Sequence, residues 1–120
     1  MDDYSFPKSS RLSGKKDIDH LFKAGKSAMA FPFRILKLES KDSAKVLFSV
    51  PYRNFRRATD RNRVKRLMRE AWRKNRHLLG PVQPQLIAYI YTAKDILPYQ
   101  TISERMVLSF RHLKDRNEKN

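Results

Sequence analysis

The residues with chemical potential are concentrated in one stretch, RNRVKRLMREAWRKNR, residues 61–76, which carries eight positive side chains and one acid, Glu70. At about 100° per residue from Arg61, Val64, Leu67, Met68, Ala71 and Leu78 fall within a window of about 240° to 340°, the apolar stripe of an amphipathic helix. Arg61, Asn62, Lys65, Arg66, Arg69, Arg73 and Arg76 fall over roughly 0° to 140°, with Trp72 at the seam. The pairs Arg61/Lys65, Lys65/Arg69 and Arg69/Arg73 are like charges at i, i+4, each costing an isolated helix about 0.2 to 0.5 kcal/mol. Arg61 and Arg63 also stand where the helix dipole disfavours cations. Seven of the eight cations have no acid at i+4. Arginine suits bidentate contact with phosphate, so the chemistry implied is polyanion binding. With Arg53, Arg56 and Arg57 upstream, residues 53–76 hold eleven cations and two acids.

The whole chain has the same bias. Its 120 residues suit a single domain, with 27 Lys+Arg against 12 Asp+Glu and a formal charge of +15. Self-repulsion on that scale is relieved by a polyanionic partner. Nucleic acid is favoured over a membrane, because no segment approaches the roughly 18 apolar residues of a span. MDDYSFPKSS opens with two acids and no apolar run, unlike a secretory signal, so a cytoplasmic location is expected. Without cysteine there is no disulfide framework, zinc ribbon or thiol nucleophile.

Other reactive residues do not assemble into a catalytic pattern. His20, His77 and His112 lack metal-site spacing. Asp17 and Asp19, at i, i+2, do not face each other on a helix, and Asp17 suits the helix N-terminus. Ser49 and Ser109 have no histidine neighbour in sequence, and the three glycines do not cluster into a phosphate loop.

The elements that must position the basic helix are legible as patterns. KKDIDHLFKAG, with Ile18, Leu21 and Phe22 at helical spacing and Gly25 at the end, predicts a helix over residues 15–24. MAFPFRILKLES predicts a strand with Phe31, Phe33 and Ile35 on one face and Arg34, Leu36 and Leu38 on the other, Pro32 marking an edge or irregular start. KVLFSVP predicts a second strand, paired with the first as an antiparallel hairpin. Gly80 and Pro81 end the basic helix, and QLIAYIYTA predicts a buried strand. TISE, residues 101–104, has the form of a capping box before Met106, Phe110 and Leu113, although Pro98 and Tyr99 allow an earlier start. The order is helix, two or three strands, helix, strand, helix, which argues for one sheet with helices packed on it. Residues 1–10 are expected to be a flexible N-terminal segment, 11–114 a single nucleic-acid-binding domain, and 115–120 a flexible polar tail.

RNRVKRLMREAWR closely resembles the signature helix of the bacterial ribonuclease P protein component family. The lead-in VPYRNFRRATDRNR and the opening RLSGKKDIDHLFKAG are also similar to that family, so the likeness spans about residues 11 to 113. It implies an α+β fold, a two-layer α/β sandwich of order αβββαβα, ribosomal-protein-S5-domain-2-like. In it the basic helix lies in a left-handed β-α-β crossover, against the usual handedness. It also implies the small subunit of a ribonucleoprotein endonuclease whose RNA holds the catalytic Mg2+ and removes the 5′ leader of precursor tRNA. No catalytic centre or tightly bound metal is then expected in the protein, and its partners would be ribonuclease P RNA and precursor tRNA, with no protein partner required.

Carried onto this chain, the resemblance assigns Arg61, Asn62, Arg63, Lys65, Arg66, Arg69 and Arg73 to the catalytic RNA. A leader groove between the first helix and the sheet would use Ile18, Phe22 and Leu36, with Arg11 and Arg53 as phosphate contacts at its rim. Ile18 and Leu36 stand where aromatic residues are common, which leaves Phe22 to stack on bases. Two rival readings share the phosphate footprint. A structural ribosomal-RNA-binding protein would need no single-strand groove, whereas a DNA-binding module would place the helix in a major groove. The DNA reading is weaker, because the cations spread around about 140° of the helix and no dimerisation element is visible.

Overall fold

The computed structural model describes residues 11–12, 14–40, 44–80 and 83–114. The segments expected to be flexible, 1–10 and 115–120, lie outside the described residues, as does Pro81. Seven elements follow in order: α1 (Lys15–Ala24), β1 (Lys26–Ala30), β2 (Phe33–Glu39), β3 (Lys45–Ser49), α2 (Ala58–Leu79), β4 (Gln85–Tyr91) and α3 (Tyr99–Lys114). This is the α+β order αβββαβα with a mixed four-stranded sheet.

The sheet order is β1-β2-β4-β3, and this corrects the expected hairpin. The strand of residues 33–39 pairs antiparallel with β1 before it, through a turn containing the cis Phe31–Pro32 bond, and with β4 on its other side. The strand of residues 45–49 never touches it and runs parallel to β4. The reason lies in β4: QLIAYIY is apolar on both faces, and the sheet centre is where both faces are covered. Inserting β4 between β2 and β3 buries Ile87, Tyr89 and Tyr91 on one side and Leu86 and Ala88 on the other. The basic helix thereby joins two neighbouring parallel strands, β3 and β4. β1, with the sequence KSAMA, carries too little apolar alternation to be read as a separate strand beforehand.

α2 and α3 cover one sheet face, where Phe33, Ile35, Val46, Phe48, Ile87, Tyr89 and Tyr91 meet Val64, Met68, Ala71, Ile102 and Met106. At its centre Trp72 lies edge-on to Phe48, Tyr89 and Phe110, with ring centroids 6.2, 5.9 and 5.8 Å away. Such aromatic pairs contribute about 0.5 to 1.5 kcal/mol each beyond their buried area. Drawing the indole inward turns the buried stripe of α2 toward Trp72, so Leu79 is buried and Leu78, expected in the stripe, is exposed. Within this core the Tyr89 hydroxyl and Ser109 Oγ are 2.6 Å apart. Ser109 donates to Met106 O, so its one proton is committed and Tyr89 is the donor between them.

The capping box is also corrected. α3 begins at Tyr99, with Ile102 N donating to Pro98 O (3.1 Å), so Thr101 and Glu104 are inside the helix. Glu104 accepts instead from Gln100 Nε2 (3.5 Å). At the other end of α3, Lys37 Nζ donates to His112 O and Gln85 Nε2 to Leu113 O (3.1 Å), satisfying carbonyls the helix itself leaves open.

α1 packs on the opposite sheet face. Leu21 is fully buried with Leu12, Leu36, Leu86 and Ala88, while Ile18 closes the margin. Gly25 ends α1 where its backbone passes close to β2: an added Cβ would lie 2.5 Å from Leu21 O and 3.1 Å from Lys37 O. No helix among the described residues is long and apolar enough to cross a membrane.

Candidate nucleic-acid interface

Burying Val64, Met68, Ala71 and Trp72 leaves the other side of α2 outward, and that side is the cationic one. Asn62, Arg63 and Arg66 are exposed, and Arg61, Lys65, Arg69 and Arg73 are half-buried along their stems. The α2 residues expected as one face are therefore brought together, over about 18 Å of helix at 1.5 Å per residue. Glu70 accepts from Arg73 Nη2 (3.0 Å) and from Lys74 Nζ (3.5 Å), the orientation in which an acid N-terminal to its cation is more favourable.

Arg61 is more than a member of the face. N-cap Arg57 makes no side-chain bond to the helix, and Arg61 reaches back to tie down the approach segment. Its Nη1 donates to Phe55 O (2.7 Å) and Arg56 O (2.9 Å), and its guanidinium carbon lies 5.1 Å from the centroid of the Tyr52 ring. Arg53 is exposed on the same approach segment.

Arg11 is placed beside this strip. Its backbone bridges Val46 on β3, and Leu12 N donates to Val46 O (3.0 Å). Leu12 turns into the cluster under α1, so Arg11, its neighbour on an extended chain, turns the other way. Burial, then the nearby Arg11 and Arg66 guanidinium groups, lower the Arg69 pKa from its ordinary value. That accumulation of like charge is electrostatic work an anion would relieve.

The expected groove residues are placed unequally. Phe22 is 48% exposed on the outer side of α1, Ile18 is half-buried at its margin, and Leu36 is 4% exposed beneath it. Leu36 is thus floor rather than wall, and Phe22 is the aromatic available to a ligand. Strand pairing puts further residues on the same sheet face. Met29 faces out beside Arg34, Ile90 lies across from it, and Arg34 Nε donates to Ser27 Oγ (3.2 Å). The alternation of FRILKLE already put Arg34 on the Leu36 face, but Met29 and Ser27 become visible only with β1 in register. Tyr52, too, was hidden from the helical wheel because it precedes α2. Among the described residues no group of three or more His, Cys, Asp or Glu could hold a metal ion.

Fold and strip together define a class: a small α+β domain whose basic helix links parallel strands and presents a face for polyanions. The chain belongs to the ribonuclease P protein family, whose pattern it matches over residues 6–114. It is 36% identical over 112 residues to the ribonuclease P protein component of Porphyromonas gingivalis, covering 86% of this chain and 82% of that one. It is 33% identical over 81 residues to that of Nitrosococcus oceani, covering 67% and 68%. The RNase P protein from Thermotoga maritima superposes with a TM-score of 0.74 at 25% identity, covering 88% of this chain and 98% of that one. For the Staphylococcus aureus RNase P protein the TM-score is 0.73 at 23% identity, covering 90% and 100%, a likeness of fold.

Proposed function

We propose that this chain is the protein subunit of a ribonuclease P ribonucleoprotein, acting in 5′ maturation of tRNA while the RNA subunit performs the cleavage. The observation that carries the reading is the cationic face of α2, in a chain of this family. Arg61, Asn62, Arg63, Lys65, Arg66, Arg69 and Arg73 are assigned to the catalytic RNA, and Arg11 joins them through its place beside Arg69. The 5′ leader of precursor tRNA is assigned to the open part of the sheet beside α1, with Phe22 as its stacking residue and Arg53 near the rim. Magnesium of the holoenzyme is assigned mainly to the RNA. The protein's part is to neutralise phosphate charge, to hold the leader, and so to favour substrate and metal binding by the RNA. The work is proposed to take place in the cytoplasm without a further protein partner.

Cleavage of a precursor tRNA by a bacterial ribonuclease P RNA at low magnesium, with and without this protein, tests the assignment. Rescue at near-equimolar protein is expected, with none from an equally basic control protein. Failure to rescue a closely matched RNA would refute it.

A further inference from the structure

Among the described residues Tyr52 is the most exposed of the large apolar side chains, at 65%, yet the turn that carries it is fixed from beneath. Phe55 is buried with its ring 6.0 Å from that of Tyr91, and Asn54 Nδ2 donates to Tyr91 O (3.2 Å). Asn54 N donates to Pro51 O (3.1 Å) and Phe55 N to Tyr52 O (3.2 Å), which closes the turn. The fold is therefore anchored through Phe55 and Asn54 and does not require an aromatic side chain at Tyr52. Arg61, held by its bonds to Phe55 O and Arg56 O, backs one side of the Tyr52 ring and leaves the rest open. Arg53 follows Tyr52 in the turn, Arg56 and Arg57 lead on into α2, and their side chains are exposed, as is that of Arg63 near the start of α2. An aromatic surface backed by one cation, in a segment rich in exposed arginines, is complementary to a nucleotide, with apolar base and anionic phosphate.

We infer that Tyr52, backed by Arg61, is a stacking platform for one unpaired base of a bound RNA strand, whose flanking phosphates lie on Arg53, Arg56 and Arg57. The inference rests on the RNA-binding reading above and adds to it a base-stacking residue, Tyr52, that neither the α2 face nor the α1 groove includes. Because every base has a π-face, the platform selects unpaired over paired nucleotides rather than one sequence. The fixed Arg61 cation strengthens the stack and pre-organises the ring, lowering the ordering cost on binding.

The full-length variants Y52F, Y52L and Y52A, checked for folding by thermal denaturation, are to be titrated with ribonuclease P RNA, and as holoenzymes with precursor tRNA, over a salt series. Y52F should bind like the unsubstituted protein. Y52L and Y52A should weaken one of the two interactions by about 5- to 150-fold, with the salt slope unchanged because no phosphate contact is lost. The double variant R56A/R57A should instead flatten the slope. In Y52W the added indole should be quenched when RNA binds, and absence of quenching counts against the platform. Y52L binding both RNAs like the unsubstituted protein would overturn the inference while leaving the RNA-binding reading intact. An unsubstituted protein with no salt-dependent RNA binding would remove that reading and the platform with it.

Discussion

Leu21 and Phe22 are adjacent on α1, but the structure assigns them opposite roles, which a pair of alanine substitutions can separate. Leu21 is fully buried between α1 and the sheet, so Leu21→Ala should cost about 2 to 5 kcal/mol. Phe22 is 48% exposed, so only about half of the 1.5 to 3 kcal/mol available to a fully buried side chain is at stake. Phe22→Ala should therefore cost about 1 kcal/mol, a fall in Tm of about 4 °C, against roughly 10 °C or more for Leu21→Ala. The exposure of Phe22 lets its substitution be read as a change at the surface rather than in the core. If Phe22 stacks on a leader base, its loss should weaken binding of leader-bearing precursor tRNA to the holoenzyme by about 5- to 150-fold, with mature tRNA unaffected. Denaturation measures the first pair of values, and titration with the two RNAs measures the second. Equal destabilisation by the two substitutions would refute the packing argument; a well-folded Phe22→Ala protein with unchanged leader preference would refute the groove.

Replacing Arg61, Lys65 and Arg69 together by alanine should flatten the salt dependence of RNA binding by up to roughly three units, at about 0.7 to 0.9 per lost phosphate contact. Arg61→Ala alone should also lower Tm by freeing Phe55 O and Arg56 O, whereas Lys65→Ala should not. Ser109→Ala should cost about 1 to 3 kcal/mol by stranding the Tyr89 hydroxyl, more than Tyr89→Phe, after which Ser109 still has Met106 O. In alkaline titration, burial raises the Tyr89 pKa; burial also raises that of Tyr91, against its bond to Leu97 N and with the Asp95 charge adding to the rise. The unfolded tyrosines ionise near pH 10 while the folded ones stay neutral, so stability should fall as pH rises through about 10, and fall less in Tyr89→Phe. Gly25→Ala should destabilise measurably, since its Cβ would press on Leu21 O and Lys37 O.

The basic helix, α1 and the apolar strand β4 were legible because each carries an uninterrupted pattern of its own period. Sheet order was not, because pairing depends on which strand needs both faces covered. The strands of residues 33–39 and 45–49 are consecutive among the readable patterns, so a hairpin was the local expectation; the two apolar faces of β4 decide otherwise. Leu36 illustrates the same limit at the site: alternation put it on one face with Arg34 and the resemblance turned that face toward α1, but only packing shows that Leu21 and Leu12 seal it. Tyr52 carried no periodic signal, and its standing comes from Arg61 folding back across a turn.

The like charges of α2 are held in one rod because the opposite side of the same helix is unusually well anchored. Trp72 meets three rings, and Asn75 Nδ2 donates both to Ala71 O (2.9 Å) and to Ser103 Oγ on α3 (2.8 Å). Lys74 lies 5.7 Å from the centroid of the Tyr99 ring. The three repulsive i, i+4 pairs cost together about 0.6 to 1.5 kcal/mol, less than the fully buried Val64 and Met68 side chains return at about 1.5 to 3 kcal/mol each. The fold can therefore carry this face without its partner, and the repulsion that remains becomes a driving force for binding when phosphates arrive. A face stabilised this way should be helical before RNA is present, so circular dichroism of the free protein should already show the full helix content. A marked gain in helicity on adding RNA would mean that the RNA, and not the aromatic anchor, holds α2 together.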